Sequence, residues 1–278
     1  MMTRTHLFAS LLASSLATAA MAQTKPAPVQ VVPPAAPAAP VPVVPKAASP
    51  GAPPTAPGTV PTMTASMADC SQTTDRAKAM TACTQLIKDA GKDPAMLVAA
   101  YSGRAAAETA NGDFKGALKD LSQSLYADPV NPALWAKRAD AHAALGNRFR
   151  AARDYSVALK YDPKNISALL GRSDQFRRLG DLPAAINDAD AALKLDPRSA
   201  TALASRAYAH QREGHDAEAL KDAADALAID PNSALAYAAR GFAKLKTDKQ
   251  AALDDLKKAL QIDPNLEAVT SALKKMAP

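Results

Sequence analysis

The sequence is poor in the residues that usually build a single reactive site. Among 278 residues there are two cysteines, four histidines and one tryptophan, and aromatic residues make up 4%. Cys70 and Cys83 stand 13 apart with no histidine near them, a poor arrangement for a zinc site. No stretch reaches the roughly 20 apolar residues that a membrane-spanning helix needs. The longest, Leu7 to Ala20, is a mainly apolar run of 14. Acidic residues are absent from the first 62 positions. These shortages argue against a cysteine-histidine metal centre and an integral membrane protein.

The N-terminal 22 residues read as a signal peptide. Arg4 supplies the positive charge, Leu7–Ala20 the apolar segment, and Ala20-Met21-Ala22 the small-residue cleavage site. The mature chain is expected to begin at Gln23, and with no cysteine after the apolar run a lipoprotein anchor is not expected. The destination implied is periplasmic or secreted. Residues 23–66 form a second composition: 13 of the 22 prolines lie between positions 24 and 62, among Ala, Val and Thr. Such a chain cannot build helix ladders, so a disordered Pro/Ala-rich linker in extended polyproline II conformation is expected.

What the rest of the chain has in abundance is repetition. Asp-Pro falls at 128–129, 162–163, 196–197 and 230–231, a period of 34. Gly112, Gly146, Gly180 and Gly214 keep the same interval, as do Ala117, Ala151, Ala185 and Ala219. A fixed 34-residue period means stacked supersecondary units. Asn131, Asn165, Ser199 and Ser233 follow each Asp-Pro as N-caps, and each glycine can end that first helix in a left-handed conformation. Asp113, Asn147 and Asp181 then cap a second helix, which stops at the next Asp-Pro because the residue before proline is pushed out of the α region. One unit is therefore a helix, a tight turn and an antiparallel helix.

This pattern resembles the tetratricopeptide repeat, through Trp135, Leu145, Gly146, Ala151, Tyr155, Ala158 and Pro163 at the spacings of that family. The resemblance implies an all-α, right-handed superhelical solenoid of antiparallel helix pairs. Five repeats span residues 95–264. The fifth is one residue short and has Lys246-Thr247-Asp248 in place of the turn glycine, so its turn is expected to be the least regular. Residues 67–94 read as an N-terminal capping helix and residues 265–278 as a C-terminal one, since the ends of a solenoid need a covered face.

Cys70 and Cys83 are expected to form a disulfide if the protein is exported. On one helix, 13 residues would separate them by about 20 Å, so the bridge requires the chain to fold back before a helix capped at Thr74 or Asp75. Two columns of charge also run through the repeats: Arg104, Arg138, Arg172, Arg206 and Arg240, and Asp120, Asp154, Asp188, Asp222 and Asp255. Each arginine lies at the level of the aspartate across the helix pair. They are read as structural ion pairs, within one repeat or between neighbours, because an active site is needed only once.

The formal charge of +6 does not point to nucleic acid. Arg4, Lys25 and Lys46 precede residue 63 and no acidic residue does, which leaves 30 basic against 27 acidic residues in the remainder. Catalysis finds no convergent set. His142 and His210 occupy one column two repeats apart, too far to share a metal, and Asp140 and Asp174 lack a neighbouring nucleophile. No cofactor, metal or enzymatic activity is implied.

The family places its binding groove on the first helix of each repeat. Here Arg177, Arg178, Tyr208, Arg212 and Phe242 gather on that face toward the C-terminal end, a combination suited to an acidic or aromatic-anchored peptide. The family's clamp for C-terminal carboxylates uses Asn and Lys where this chain has Ala, Asp and Leu, so that specificity is not implied. The reading is a non-catalytic protein- or peptide-binding scaffold or adaptor of the bacterial envelope. The alternative is an envelope polysaccharide-binding or export accessory protein, for which Tyr208 and Phe242 would be the only groove platforms.

Overall fold

A computed structural model of the chain describes residues 67–276. The expected signal peptide (residues 1–22) and the expected linker (residues 23–66) lie outside the described residues. Those described form thirteen helices and no strand: α1 (residues 67–71), α2 (Arg76–Asp89), α3 (Pro94–Ala110), α4 (Phe114–Ala127), α5 (Pro132–Ala144), α6 (Arg148–Tyr161) and α7 (Ile166–Leu179). They continue with α8 (Leu182–Leu195), α9 (Ala200–Glu213), α10 (Asp216–Ile229), α11 (Ala234–Lys244), α12 (Lys249–Ile262) and α13 (Glu267–Met276). The pairs α3/α4 through α11/α12 are antiparallel hairpins, each packed on the next, and α2 packs on α3.

The helix ends follow from local chemistry. Asn131, Asn165, Ser199 and Ser233 each accept a hydrogen bond from a backbone N–H of the helix they open, satisfying a donor that would otherwise be orphaned. Asp113, Asp181 and Asp248 do the same for α4, α8 and α12. Asn147 departs from expectation. It holds the N-cap position of α6 but makes no side-chain cap bond, and the Arg148 N–H turns back to the Gly146 carbonyl. Gly112, Gly146, Gly180 and Gly214 all have positive φ, a conformation that a Cβ would strain. The fifth repeat closes differently. Its α11 has 11 residues, against 14 in α7 and α9, and the Lys244 carbonyl accepts from the N–H groups of both Thr247 and Asp248.

Small side chains set the helix spacing. Ala105, Ala139, Ser173 and Ala207 are fully or almost fully buried, and a Cβ added to Gly241 would come within 2.8 Å of Leu256. Helices this close cannot accept bulk at the crossing without moving apart.

At the N-terminal end, the bend at residues 72–75 folds α1 back along α2, and Cys70 and Cys83 are joined by a disulfide with a Cα–Cα distance of 4.7 Å. The bridge sits against Gly103 of α3, where a Cβ would lie 2.7 Å from the Cys70 Sγ. The C-terminal helix is placed in a way that periodicity does not foretell. α13 touches α12 far less than successive helices touch elsewhere in the stack. Its Val269, 1% exposed, shares an apolar cluster with Tyr208 and Leu256, against which Phe242 and Leu266 also pack.

Candidate functional site

The two charge columns form a ladder. Each arginine chelates the aspartate of its own repeat through Nε and Nη2: Arg104 with Asp120, Arg138 with Asp154, Arg172 with Asp188, Arg206 with Asp222 and Arg240 with Asp255, at 2.6–3.0 Å. The third nitrogen, Nη1, reaches back to the preceding helix pair. It donates to Ser122 from Arg138, to Ser156 from Arg172 and to Asp190 from Arg206. All five arginine–aspartate pairs of the two columns are thus made within one repeat, while the contacts to the preceding helix pair go to other residues. Ser122, Ser156 and Asp190 escaped the sequence reading although they too recur every 34 residues. Arg240 meets Ala224 in that column, and Lys244 instead adds a second cation to Asp255 at 3.3 Å. Burial pushes the Asp255 carboxyl up, but the hydrogen bonds and charges of Arg240 and Lys244 outweigh it and hold the group below the usual aspartate range.

A cleft of about 440 Å³ opens where the C-terminal ends of α7 and α9 meet the start of α13. It is lined by Arg148, Arg177, Arg178 and Arg212 together with Asp263, Asn265, Leu266 and Glu267. Arg177 and Arg178 both bond Asp174. Arg148 and Arg212 are exposed and take part in no ion pair among the described residues.

Tyr208 and Phe242 do not stand open on this surface as expected. Tyr208 is 4% exposed, packed edge-on against Phe242 at 6.3 Å and capped by the Arg177 guanidinium at 5.0 Å. The reason is tertiary: two large rings on an alanine-rich face leave a gap that Val269 and Leu266 fill. The exposed aromatic beside the arginines is Phe149, 78% exposed at the first turn of α6. Its signal in the sequence was a loss of register. Phe114 and Leu182 occupy a column in which repeat two has Arg148, with Phe149 displaced by one.

No protein-family model matches the chain, and no curated protein sequence matches it. Solved structures do. The MamA protein is 22% identical over 60% of this chain and 92% of its own, with a TM-score of 0.53. YrrB, a repeat protein described as having an unusual peptide-binding site, is 20% identical over 69% of this chain and 97% of its own, at 0.54. A tetratricopeptide repeat protein from Parabacteroides merdae is 20% identical over 77% of this chain and 97% of its own, at 0.58. The fold is that of the tetratricopeptide repeat.

Within the tetratricopeptide array, the residues weighed for catalysis are engaged elsewhere. The Tyr155 hydroxyl donates to Asp140, and Asp174 is held by the two arginines. Burial raises the Asp140 carboxyl, partly offset by that bond. His142 is largely buried, and burial lowers its pKa despite Asp154 nearby. Trp135 packs between two core clusters and donates its indole N–H to the Pro129 carbonyl, so it is a core residue. Among the described residues no helix is long and apolar enough to cross a membrane.

Proposed function

We propose that this protein is a non-catalytic scaffold that binds acidic segments of a partner protein or peptide at the cleft bounded by Arg148, Arg177, Arg178 and Arg212. The observation that carries this reading is the convergence of four guanidinium groups from three successive repeats on one cleft. A guanidinium matches a carboxylate in bidentate geometry, and two of the four have no acidic partner among the described residues. Arg177 and Arg178 set the shape of the site through Asp174, while Arg148 and Arg212 supply the uncompensated charge. Phe149, exposed in an adjoining hollow that shares Arg148 and Leu179 with the cleft, replaces Tyr208 and Phe242 as the apolar anchor. With Tyr208 buried and Phe242 half-buried, a polysaccharide reading has less support from these rings.

The chain's own C-terminal segment supports the chemistry assigned to the partner. Asp263 and Glu267 line the cleft with the arginines, and Leu266 and Val269 pack toward Tyr208. An acidic residue with an apolar one beside it is therefore a pattern this surface accommodates. For location, the envelope reading is supported by the signal-like segment at residues 1–22 and by the Cys70–Cys83 bridge, which suits an oxidising compartment.

The experiment is fluorescence anisotropy of a panel of acidic, neutral and basic peptides against the purified chain. Acidic peptides should bind selectively and lose affinity as salt rises, because exposed charges are screened over about 10 Å at 0.1 M. Arg148→Ala with Arg212→Ala should weaken binding about tenfold or more without changing the unfolding midpoint. Equal binding of basic peptides, or an unaffected double variant, would refute the assignment. N-terminal sequencing of protein recovered from the envelope should begin at Gln23.

A further inference from the structure

The fourth repeat departs from its neighbours at its turn. Before the turn glycine, repeats two and three have Leu145 and Leu179 where repeat four has Glu213. After it, the other repeats have Asp113, Asn147 or Asp181 where repeat four has His215. His215 makes no side-chain cap bond to α10, whereas Asp113 and Asp181 make that bond in their own repeats. Like Asn147 in repeat two, His215 leaves its helix start without a side-chain cap.

Glu213 and His215 meet. Gly214, at φ 86°, reverses the chain so that His215 comes back beside the last turn of α9, where His210 and Glu213 lie three residues apart on one side. The two imidazole rings are 5.8 Å apart, and His215 Nδ1 is 3.6 Å from a Glu213 carboxylate oxygen. One ligand atom from each of His210, Glu213 and His215 falls within 4.8 Å of the other two. The His210 Nδ1 is out of contact with solvent and makes no hydrogen bond among the described residues, so no hydrogen bond at that nitrogen orients the ring.

We propose that His210, Glu213 and His215 form a binding site for a divalent transition-metal ion of the zinc class. Two imidazoles and a carboxylate favour zinc, nickel or copper over calcium or magnesium, which prefer all-oxygen surroundings. Donors around tetrahedral zinc sit about 3.3 Å apart, from bond lengths near 2.0 Å, so small side-chain rotations close the present spacing. Three protein ligands leave a fourth position for water or for a donor on a partner. The ion pins the end of α9 to the start of α10, two residues beyond His210 and next to Arg212 of the cleft. Without a hydrogen bond to orient the His210 ring, the affinity expected is on the order of micromolar, since such support is worth about 10- to 100-fold.

The test is calorimetric titration of the untagged full chain with zinc chloride, alongside calcium chloride. One equivalent of zinc should bind, calcium should not, and zinc should raise the unfolding midpoint because it binds only the folded turn. The variant Glu213→Leu with His215→Asn installs the residues that repeat two carries at the same positions. It should fold at least as well as the parent, lose zinc affinity more than tenfold and show no zinc-dependent midpoint. A control variant, His142→Ala, should bind as the parent does. Absence of saturable zinc binding, calcium binding of equal strength, or unchanged affinity in the Glu213→Leu, His215→Asn variant would overturn the proposal.

Discussion

The Arg177 guanidinium lies over the ring of Tyr208 in the next repeat, 5.0 Å from its centroid. Arg177 is thereby a lid on a buried tyrosine as much as a charge in a cleft. Tyr208→Ala is expected to destabilise the protein by about 3 kcal/mol, the cost of deleting a buried ring from a tight core. Chemical denaturation measures this. An unchanged midpoint would show that the ring is not part of the core.

The ladder should fail asymmetrically. Arg172→Ala strands Asp188, which is 8% exposed, and should cost about 2 to 4 kcal/mol, since an unpaired carboxylate at that depth is poorly solvated. Arg172→Lys should recover only part of this because an ammonium cannot chelate both oxygens while also reaching Ser156. Equilibrium unfolding of both variants decides the matter. An Arg172→Lys variant as stable as the parent would mean that bidentate geometry is irrelevant to the pair.

Reduction of Cys70–Cys83 should loosen α1 and α2 before the central repeats, as each unit is held only by its neighbours. The bridge closes a short loop, worth about 3 kcal/mol at most. Gly103→Ala should destabilise the oxidised protein, given 2.7 Å to the Cys70 Sγ, and should be milder in a Cys70→Ala, Cys83→Ala background. Hydrogen exchange resolved along the chain reports the first effect, and a double-mutant cycle the second.

Glu108 gives the N-terminal repeat a pH dependence. Burial, reinforced by the charge of Asp120, raises its carboxyl to about 7. A folded-state pKa above the unfolded value stabilises the protein below about pH 4.5, and that contribution is lost as pH rises through about 7. Glu108→Gln should remove this slope and add on the order of 1 kcal/mol at pH 8, a figure discounted for the group's partial exposure. Unfolding midpoints between pH 5 and pH 8 test it, and an identical slope in the variant would assign the titration to another group.

The architecture was legible in the sequence because every structural requirement of the repeat is local and recurs. A left-handed residue at each turn calls for Gly180 or Gly214, an N-cap calls for Asn165 or Ser199, and a close helix crossing calls for Ala139 or Ser173. The period turns each of these into a column that can be checked four or five times. The level of Arg172 with Asp188 follows from the same arithmetic. The reach of Arg172 Nη1 to Ser156 was harder to see, since it depends on the angle at which one repeat sits on the next. The cleft was only half legible. Arg177, Arg178 and Arg212 are legible because they share a helix end, whereas Arg148 belongs to a second helix and joins the site only through the way one repeat packs on the next. The exposure of Tyr208 and Phe242 was misjudged because the element that covers them, α13, lies outside the period. Repetition determines which residues face the groove; what fills the groove is decided by side-chain volume at the end of the array, where no next repeat exists to set the packing.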